Sequence, residues 1–185
     1  MEAYVLFAGA PDQGILYVSQ VFLEAAMEEG WRAVCISSSS QGQVLQCLMV
    51  ISDAPLAPTP HSPPDVIVLA SREAAEMLEY SVKPGGLLIM NASQVRRPPR
   101  RHDVDVVMAP TEPDGGEKDP VRASVILLGA LVSLTGWISP ESVATILQKS
   151  CKDKALCEAF RRGVSYVETI GGMMESRPIS TGIWE

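Results

Sequence analysis

Cysteine and histidine are scarce in this chain: four of the first and two of the second. Cys35, Cys47, Cys151 and Cys157 form no close pair such as C-x-x-C, which excludes the usual zinc and iron–sulfur spacings. His61 and His102 lie in Pro-rich and Arg-rich stretches, and neither stands near a Ser or Cys in a nucleophile motif. H-E-x-x-H, Walker and paired-carboxylate patterns are missing too, so the residues alone name no catalytic group and no metal ligand. Positive charge is in deficit. A net charge of -7 argues against general nucleic-acid binding, which rests on neutralising phosphates. The longest apolar run, residues 125–134, is broken by Gly129 and Ser133 and falls well short of the ~20 residues of a membrane helix. No basic segment precedes an apolar stretch at the N-terminus, so no secretory signal is read and a reducing cytoplasm is the expected compartment.

What remains is an ordinary globular composition, 46% apolar and 20% charged over 185 residues, enough for one domain around one core. The stretch that organises it is residues 3–30. Residues 3–8 are an apolar run of strand length, and Gly9-Ala10-Pro11-Asp12-Gln13-Gly14 is a turn. Ile15, Val18, Phe22 and Ala26 then recur at helical spacing up to the stop at Gly30. Strand, glycine loop, helix is the opening of a doubly wound α/β domain. Further strands are read at 32–37, 44–52, 65–70, 87–90 and 104–108. Cys35 and Cys47 fall in two of them and read as small buried hydrophobes. Ser71 is positioned to cap a short helix over 72–80. Asp119-Pro120 and Ser139-Pro140 are helix starts, for helices to about Thr135 and Ser150. Asp153 caps a third, with Leu156, Phe160, Val164 and Val167 on one face and Gly171-Gly172 as its end. The expected fold is therefore α/β and Rossmann-like: a mostly parallel sheet, helices on both faces and a C-terminal helical block. A single domain over 1–172 is followed by an extended tail, 173–185.

Three loops carry the candidate chemistry. In the first, a G-x-G-x-x-G fingerprint would need glycine where Pro11 stands. Pro11 offers no backbone N–H, and Asp12 places negative charge where a phosphate would sit. The acidic residue that holds a ribose ~20 residues further on is replaced by serines. Both loop changes, Pro11 and Asp12, weaken anion binding, so of the two readings, NAD or FAD binding or a tight turn that packs helix on sheet, the chemistry favours the turn. The second loop, Ser37 to Ser40 with Gln41-Gly42-Gln43, lies at the carboxyl end of a strand and is either a site where hydroxyls and glycine amides hold a polar ligand, or a solvated loop. The third, Arg96, Arg97, Arg100 and Arg101 around Pro98-Pro99, is either a grip for a phosphate or acidic surface, or a stiff solvated loop.

The order of these pieces resembles the gamma subunit, or gamma domain, of 2-oxoacid:ferredoxin (acceptor) oxidoreductases over residues 5–166. The resemblance is carried by Gly9, Gln13 and Gly14, by Val50-Ile51-Ser52-Asp53, and by Pro64-Asp65-Val66. Lys83-Pro84-Gly85-Gly86, Asn91, Leu128-Gly129-Ala130 and Ala159-Phe160-x-x-Gly163 complete it. The chain departs from the family at Pro11 and Asp12, at Gln41-Gly42-Gln43 in place of Arg-Gly-Gly, and at Ser124 and Leu156 in place of asparagines. The resemblance implies a non-catalytic subunit of a complex that oxidatively decarboxylates a 2-oxoacid, such as pyruvate or 2-oxoglutarate, to acyl-CoA. It implies no cofactor held by this chain alone. Thiamine diphosphate, iron–sulfur clusters and CoA are then expected in the alpha, beta and ferredoxin-like delta partners, with Gly9, Gln13, Gly14, Gln41 and Gly42 as the contact region. Two alternatives stay open: a stand-alone Rossmann-like nucleotide or CoA binder, and a structural paralogue that acts only as an interaction module. A homo-oligomer in isolation is also left open.

Overall fold

The sheet is assembled about its first strand, β1 (Glu2–Gly9), in a computed structural model that describes residues 1–40, 43–56, 62–111, 119–150 and 153–174. On one side β1 pairs antiparallel with β3 (Val44–Ser52), Val5 opposite Met49. On the other it pairs parallel with β4 (Val66–Leu69), Val5 opposite Val66. β5 (Leu87–Asn91) and β6 (Asp105–Ala109) extend the parallel side, and β2 (Arg32–Ser40) closes the other edge, antiparallel to β3. The order is β2-β3-β1-β4-β5-β6, so β3 alone opposes the common direction. β4 and β5 are buried along almost their whole length, as the unbroken runs Val-Ile-Val-Leu and Leu-Leu-Ile-Met require when helices cover both faces.

Alternation along β1 divides the core. Ala3, Val5 and Phe7 face α1 (Ile15–Glu28), α3 (Pro120–Thr135), α4 (Pro140–Ser150) and α5 (Lys154–Met174). Leu6 and Ala8 face the smaller cluster that includes Ala74 and Ala75 of α2 (Arg72–Leu78). Phe7 and Phe22 meet edge to face at 5.8 Å between ring centres, which pins α1 to the sheet. The helix starts follow their caps. Ser71 accepts from the Ala74 amide, and Asp119 accepts from the amides of Val121 and Arg122 ahead of an almost wholly apolar α3. No helix among the described residues is long and apolar enough to cross a membrane.

Two glycines let α3 and α5 touch backbone to backbone. A Cβ on Gly129 would stand 2.3 Å from the Phe160 carbonyl oxygen, and one on Gly163 would stand 2.0 Å from that of Ile126. The Leu-Gly-Ala and Ala-Phe-x-x-Gly strings are therefore the two halves of one helix crossing. Pro64-Asp65-Val66 and Lys83-Pro84-Gly85-Gly86 meet in the same way at the amino end of β4. There Asp65 accepts from the Tyr4 amide at 2.7 Å and pairs with Lys83, and Gly86 has backbone on two sides where a side chain would go.

Three local expectations change. Ser37 to Ser40 continue β2 instead of forming a loop, because each is paired in register with β3, Ser37 opposite Cys47 and Ser40 opposite Val44. Helix α5 does not stop at Gly171-Gly172 but runs to Met174; Gly171 is not among the glycines with positive φ that would end a helix there. Met173 and Met174 thus belong to α5, and the rest of the expected tail lies outside the described residues. Cys47 is fully buried as expected, while Cys35 is only half-buried on the edge strand.

Candidate functional site

The first loop is a single 3-10 turn, Pro11–Gln13, leading into Gly14 at a left-handed φ of 66° and then into α1. Gln13 is buried, and its side chain is consumed inside the fold. Its Oε1 accepts from the Ala10 amide at 2.8 Å and its Nε2 donates to the carbonyl of Ala70 at 3.1 Å. Gly9 makes room for this: a Cβ there would lie 2.5 Å from the same Oε1. Gly14 abuts the first turn of α3, where a Cβ would come within 3.0 Å of Val121. Gly9, Gln13 and Gly14 are thus brought together, two as close-approach positions and one as the internal strut of the turn. Gln41 and Gly42 lie outside the described residues. Their flank, Ser39, stands opposite Leu45, which also stands opposite Gly9. The serines therefore share the carboxyl end of the sheet with the turn, displaced by the width of β3, roughly 10 Å at two strand spacings.

The same carbonyl of Ala70 holds a second amide. Asn91, buried at the end of β5, donates Nδ2 to it at 3.1 Å. Asn91 Oδ1 accepts from the amides of Ser93 and Gln94 and, at 2.7 Å, from the hydroxyl of Thr111. One polar network therefore ties together the carboxyl ends of β1, β4 and β5 and the segment after β6. Buried amides and hydroxyls require such partners, and these side chains supply them to one another and to the backbone.

Above this floor opens a cavity of about 450 Å3, roofed by the first turns of α3 and α5. Asp12, Gln13, Asn91, Gln94 and Thr111 line it from the sheet side. Asp119, Arg122 and Ile126 line it from α3, and Ala155, Glu158, Ala159 and Arg162 from α5. Asp119 caps α3 with Oδ1 and pairs through Oδ2 with Arg122 Nε at 3.1 Å. Three carboxylates, Asp12, Asp119 and Glu158, face two guanidiniums, Arg122 and Arg162, so the lining has no surplus of positive charge. It offers amides, hydroxyl and both signs of charge over small apolar patches. That chemistry binds and orients an uncharged or mixed-charge arm of a ligand; a phosphate cradle needs net positive charge or free amides. Behind this roof, Tyr166 ties α5 to β6 by donating to the carbonyl of Met108 at 2.8 Å.

Sequence reading marks Asn91 as one of the residues that carry the family resemblance, without a role, and passes over Thr111, Arg122, Glu158 and Arg162. The signal for the last three is slight: Arg122 is the one charged residue of the apolar α3, and Glu158 and Arg162 are two among several charges of the amphipathic α5. The arginine loop divides into two roles. Arg101 is nearly buried, forks onto Asp103 and donates to the carbonyls of Tyr80 and Val82. Arg97 binds Glu79, which is 1% exposed and also accepts from the Arg100 amide. Burial pushes the Glu79 carboxyl up, but the Arg97 and Arg100 hydrogen bonds outweigh it and the net direction is down. Among the described residues no three of His, Cys, Asp and Glu gather as metal ligands. Cys35, Cys47 and Cys157 do not converge, so they do not fit an iron–sulfur cluster.

Comparison with known proteins agrees with this architecture. The 2-oxoglutarate synthase subunit KorC of Methanocaldococcus jannaschii is 27% identical over 175 residues, covering 88% of this chain and 92% of that one. The gamma subunit of a keto/oxoacid ferredoxin oxidoreductase from Geobacter sulfurreducens superposes with a TM-score of 0.79 at 22% identity, over 91% of this chain and 98% of that one. A 2-oxoglutarate:ferredoxin oxidoreductase from Magnetococcus marinus, solved with 2-oxoglutarate, coenzyme A and succinyl-CoA, matches with a TM-score of 0.78 at 19% identity. That match covers 91% of this chain and 31% of the larger one. Pyruvate oxidoreductase subunit PORC from Thermotoga maritima matches at 0.63 and 23% identity, over 88% and 92%. The family model described as pyruvate ferredoxin/flavodoxin oxidoreductase matches residues 4–166, from β1 through the helix crossing, and the chain belongs to that family.

Proposed function

We propose that this chain is the gamma subunit of a 2-oxoacid:ferredoxin, or acceptor, oxidoreductase and contributes binding surface rather than reacting groups. The observation that carries the reading is the cavity at the carboxyl ends of β1, β4 and β5, whose lining among the described residues is amide, hydroxyl, carboxylate and guanidinium over small apolar patches. Its groups can hold and orient a substrate arm, and nothing among them is built to attack one. The family match over residues 4–166 supports an oxidoreductase role, and the reaction in this reading is the one the resemblance implies, oxidative decarboxylation of a 2-oxoacid to its acyl-CoA. In this reading thiamine diphosphate and the iron–sulfur centres are held by alpha, beta and ferredoxin-like delta partners, in a reducing cytoplasm. The contact region in this reading is Gly9, Gln13 and Gly14 of the first loop, with Asp12 in the cavity wall next to Gln13, together with Gln41 and Gly42, which lie outside the described residues.

Purification of the native complex through a tag on this chain tests the proposal. Recovery of thiamine- and iron–sulfur-containing subunits supports it, and recovery of the chain alone counts against it. A second reading, a stand-alone nucleotide or CoA binder, draws support from the arginines beside the cavity. Micromolar binding of CoA, ATP or NAD by the isolated chain in calorimetry would favour that alternative.

A further inference from the structure

Beside α2 lies a second hollow, of about 270 Å3, lined by Arg72, Gln94, Val95, Arg96 and Arg97, with no carboxylate in its lining. Its guanidiniums are held in two ways. Arg97 spends both terminal nitrogens inside the fold, Nη2 on Glu79 at 2.6 Å and Nη1 on the carbonyl of Pro98 at 3.1 Å. Arg72 and Arg96 are fixed only through Nε, the first on Glu76 at 2.9 Å and the second on the carbonyl of Ser93 at 3.2 Å. Their Nη pairs have no partner among the described residues. The loop that presents Arg96 and Arg97 is stiffened by Pro98-Pro99 and anchored on the buried Glu79, so little ordering remains when an anion arrives.

The donors choose the anion. A carboxylate has two oxygens and is satisfied by one guanidinium fork; two forks and the Gln94 amide call for three or more oxygens and a higher charge. We propose that this hollow binds a phosphate monoester dianion through the free Nη groups of Arg72 and Arg96. Gln94 also lines the main cavity, so the two hollows share a wall. A ligand whose phosphate sits on the arginines can pass Gln94 and lay its remainder among the amides and hydroxyl beyond. The proposal rests on the arginine hollow alone and is independent of the subunit role.

Titration calorimetry on the full chain at fixed ionic strength tests it, with inorganic phosphate, AMP and acetate as probes. Arg72→Gln, Arg96→Gln and Gln94→Ala are the variants, each checked for unchanged circular dichroism. Phosphate and AMP are expected to bind saturably, and each arginine variant is expected to weaken both by about tenfold, the worth of one charge-assisted hydrogen bond. AMP binding tighter than phosphate, with the difference erased in Gln94→Ala, supports the proposal and identifies a larger ligand entering the cavity. Equal affinities support it with free phosphate as the occupant. Acetate binding as tightly as phosphate, affinities unmoved in both arginine variants, or no saturable binding would overturn it.

Discussion

Gln13 and Asn91 are 78 positions apart and donate to one acceptor, the carbonyl of Ala70, each at 3.1 Å. The relationship explains the state of the first loop. In a phosphate-binding loop the amides turn outward to the ligand. Here the Ala10 amide is taken by Gln13 Oε1, position 11 has no amide, and Asp12 adds negative charge at the cavity mouth. Gly9 and Gly14 survive because Gln13 and α3 need the room.

Removing either amide should loosen this junction. Asn91→Ala removes four side-chain hydrogen bonds, to the Ala70 carbonyl, the amides of Ser93 and Gln94 and the hydroxyl of Thr111, although Gln94 keeps the Asn91 carbonyl and Thr111 keeps Ser93 Oγ; Gln13→Ala removes two, those to the Ala10 amide and the Ala70 carbonyl. Leaving a buried polar group unsatisfied costs about 1–3 kcal/mol, so both variants should lower the stability measured by denaturant unfolding, Asn91→Ala the more. Equal stability to wild type in Asn91→Ala would show that the network carries no weight.

Gly163→Ala should destabilise by about 1–3 kcal/mol or more, because the added methyl meets the Ile126 carbonyl with no flexible side chain to yield. Gly129→Ala should behave alike. Gly171→Ala, eight residues further along the same helix, has open space around it and should be stabilising by about 0.4–1 kcal/mol through the unfolded chain. Thermal unfolding of the three variants reads the contrast.

Acid should act on the Glu79 anchor. Its carboxyl lies below the ordinary 4.5 in the folded chain, so it contributes stability that is fully present above the unfolded value. That contribution is lost as pH falls through the lowered folded value. The Glu79→Gln variant should therefore be less stable than wild type at neutral pH, with the gap shrinking below about pH 4 as the wild-type carboxyl protonates. Denaturation midpoints across pH 3–7 measure it; a constant gap contradicts the assignment.

Burial, followed by the neighbouring Cys47 thiol, pushes the Cys35 thiol up to about 11. Alkylation depends on the thiolate. Cys35 should therefore react slowly near neutral pH and accelerate by roughly tenfold per pH step until its titration is approached. Cys47, fully buried, should react only on unfolding. Site-resolved mass spectrometry after iodoacetamide pulses distinguishes the two.

The helix starts at Pro120 and Pro140 and both ends of β3 were legible because they depend on caps and on runs of a few residues. The extension of β2 through four serines was not. Serine has no strand preference to read, and it is the ladder to β3 that holds them. The cavity was half legible. Its first wall is a contiguous motif, but Asn91, Arg122 and Arg162 come from three separate elements and Thr111 from the segment after β6, and they meet only through the sheet order and the α3–α5 crossing. The likeness to a gamma subunit is carried largely by glycines and prolines whose spacing reflects backbone contacts, so it persists although the sequence departs at Pro11, Asp12 and Gln41-Gly42-Gln43.

Activity reconstitution tests the central claim most directly. The isolated chain, given a 2-oxoacid, CoA and a dye acceptor, is expected to produce no acyl-CoA. Added to alpha and beta subunits prepared without it, it should restore acyl-CoA formation. Oxidation by the isolated chain, or a complex that forms acyl-CoA equally well in its absence, would contradict the account.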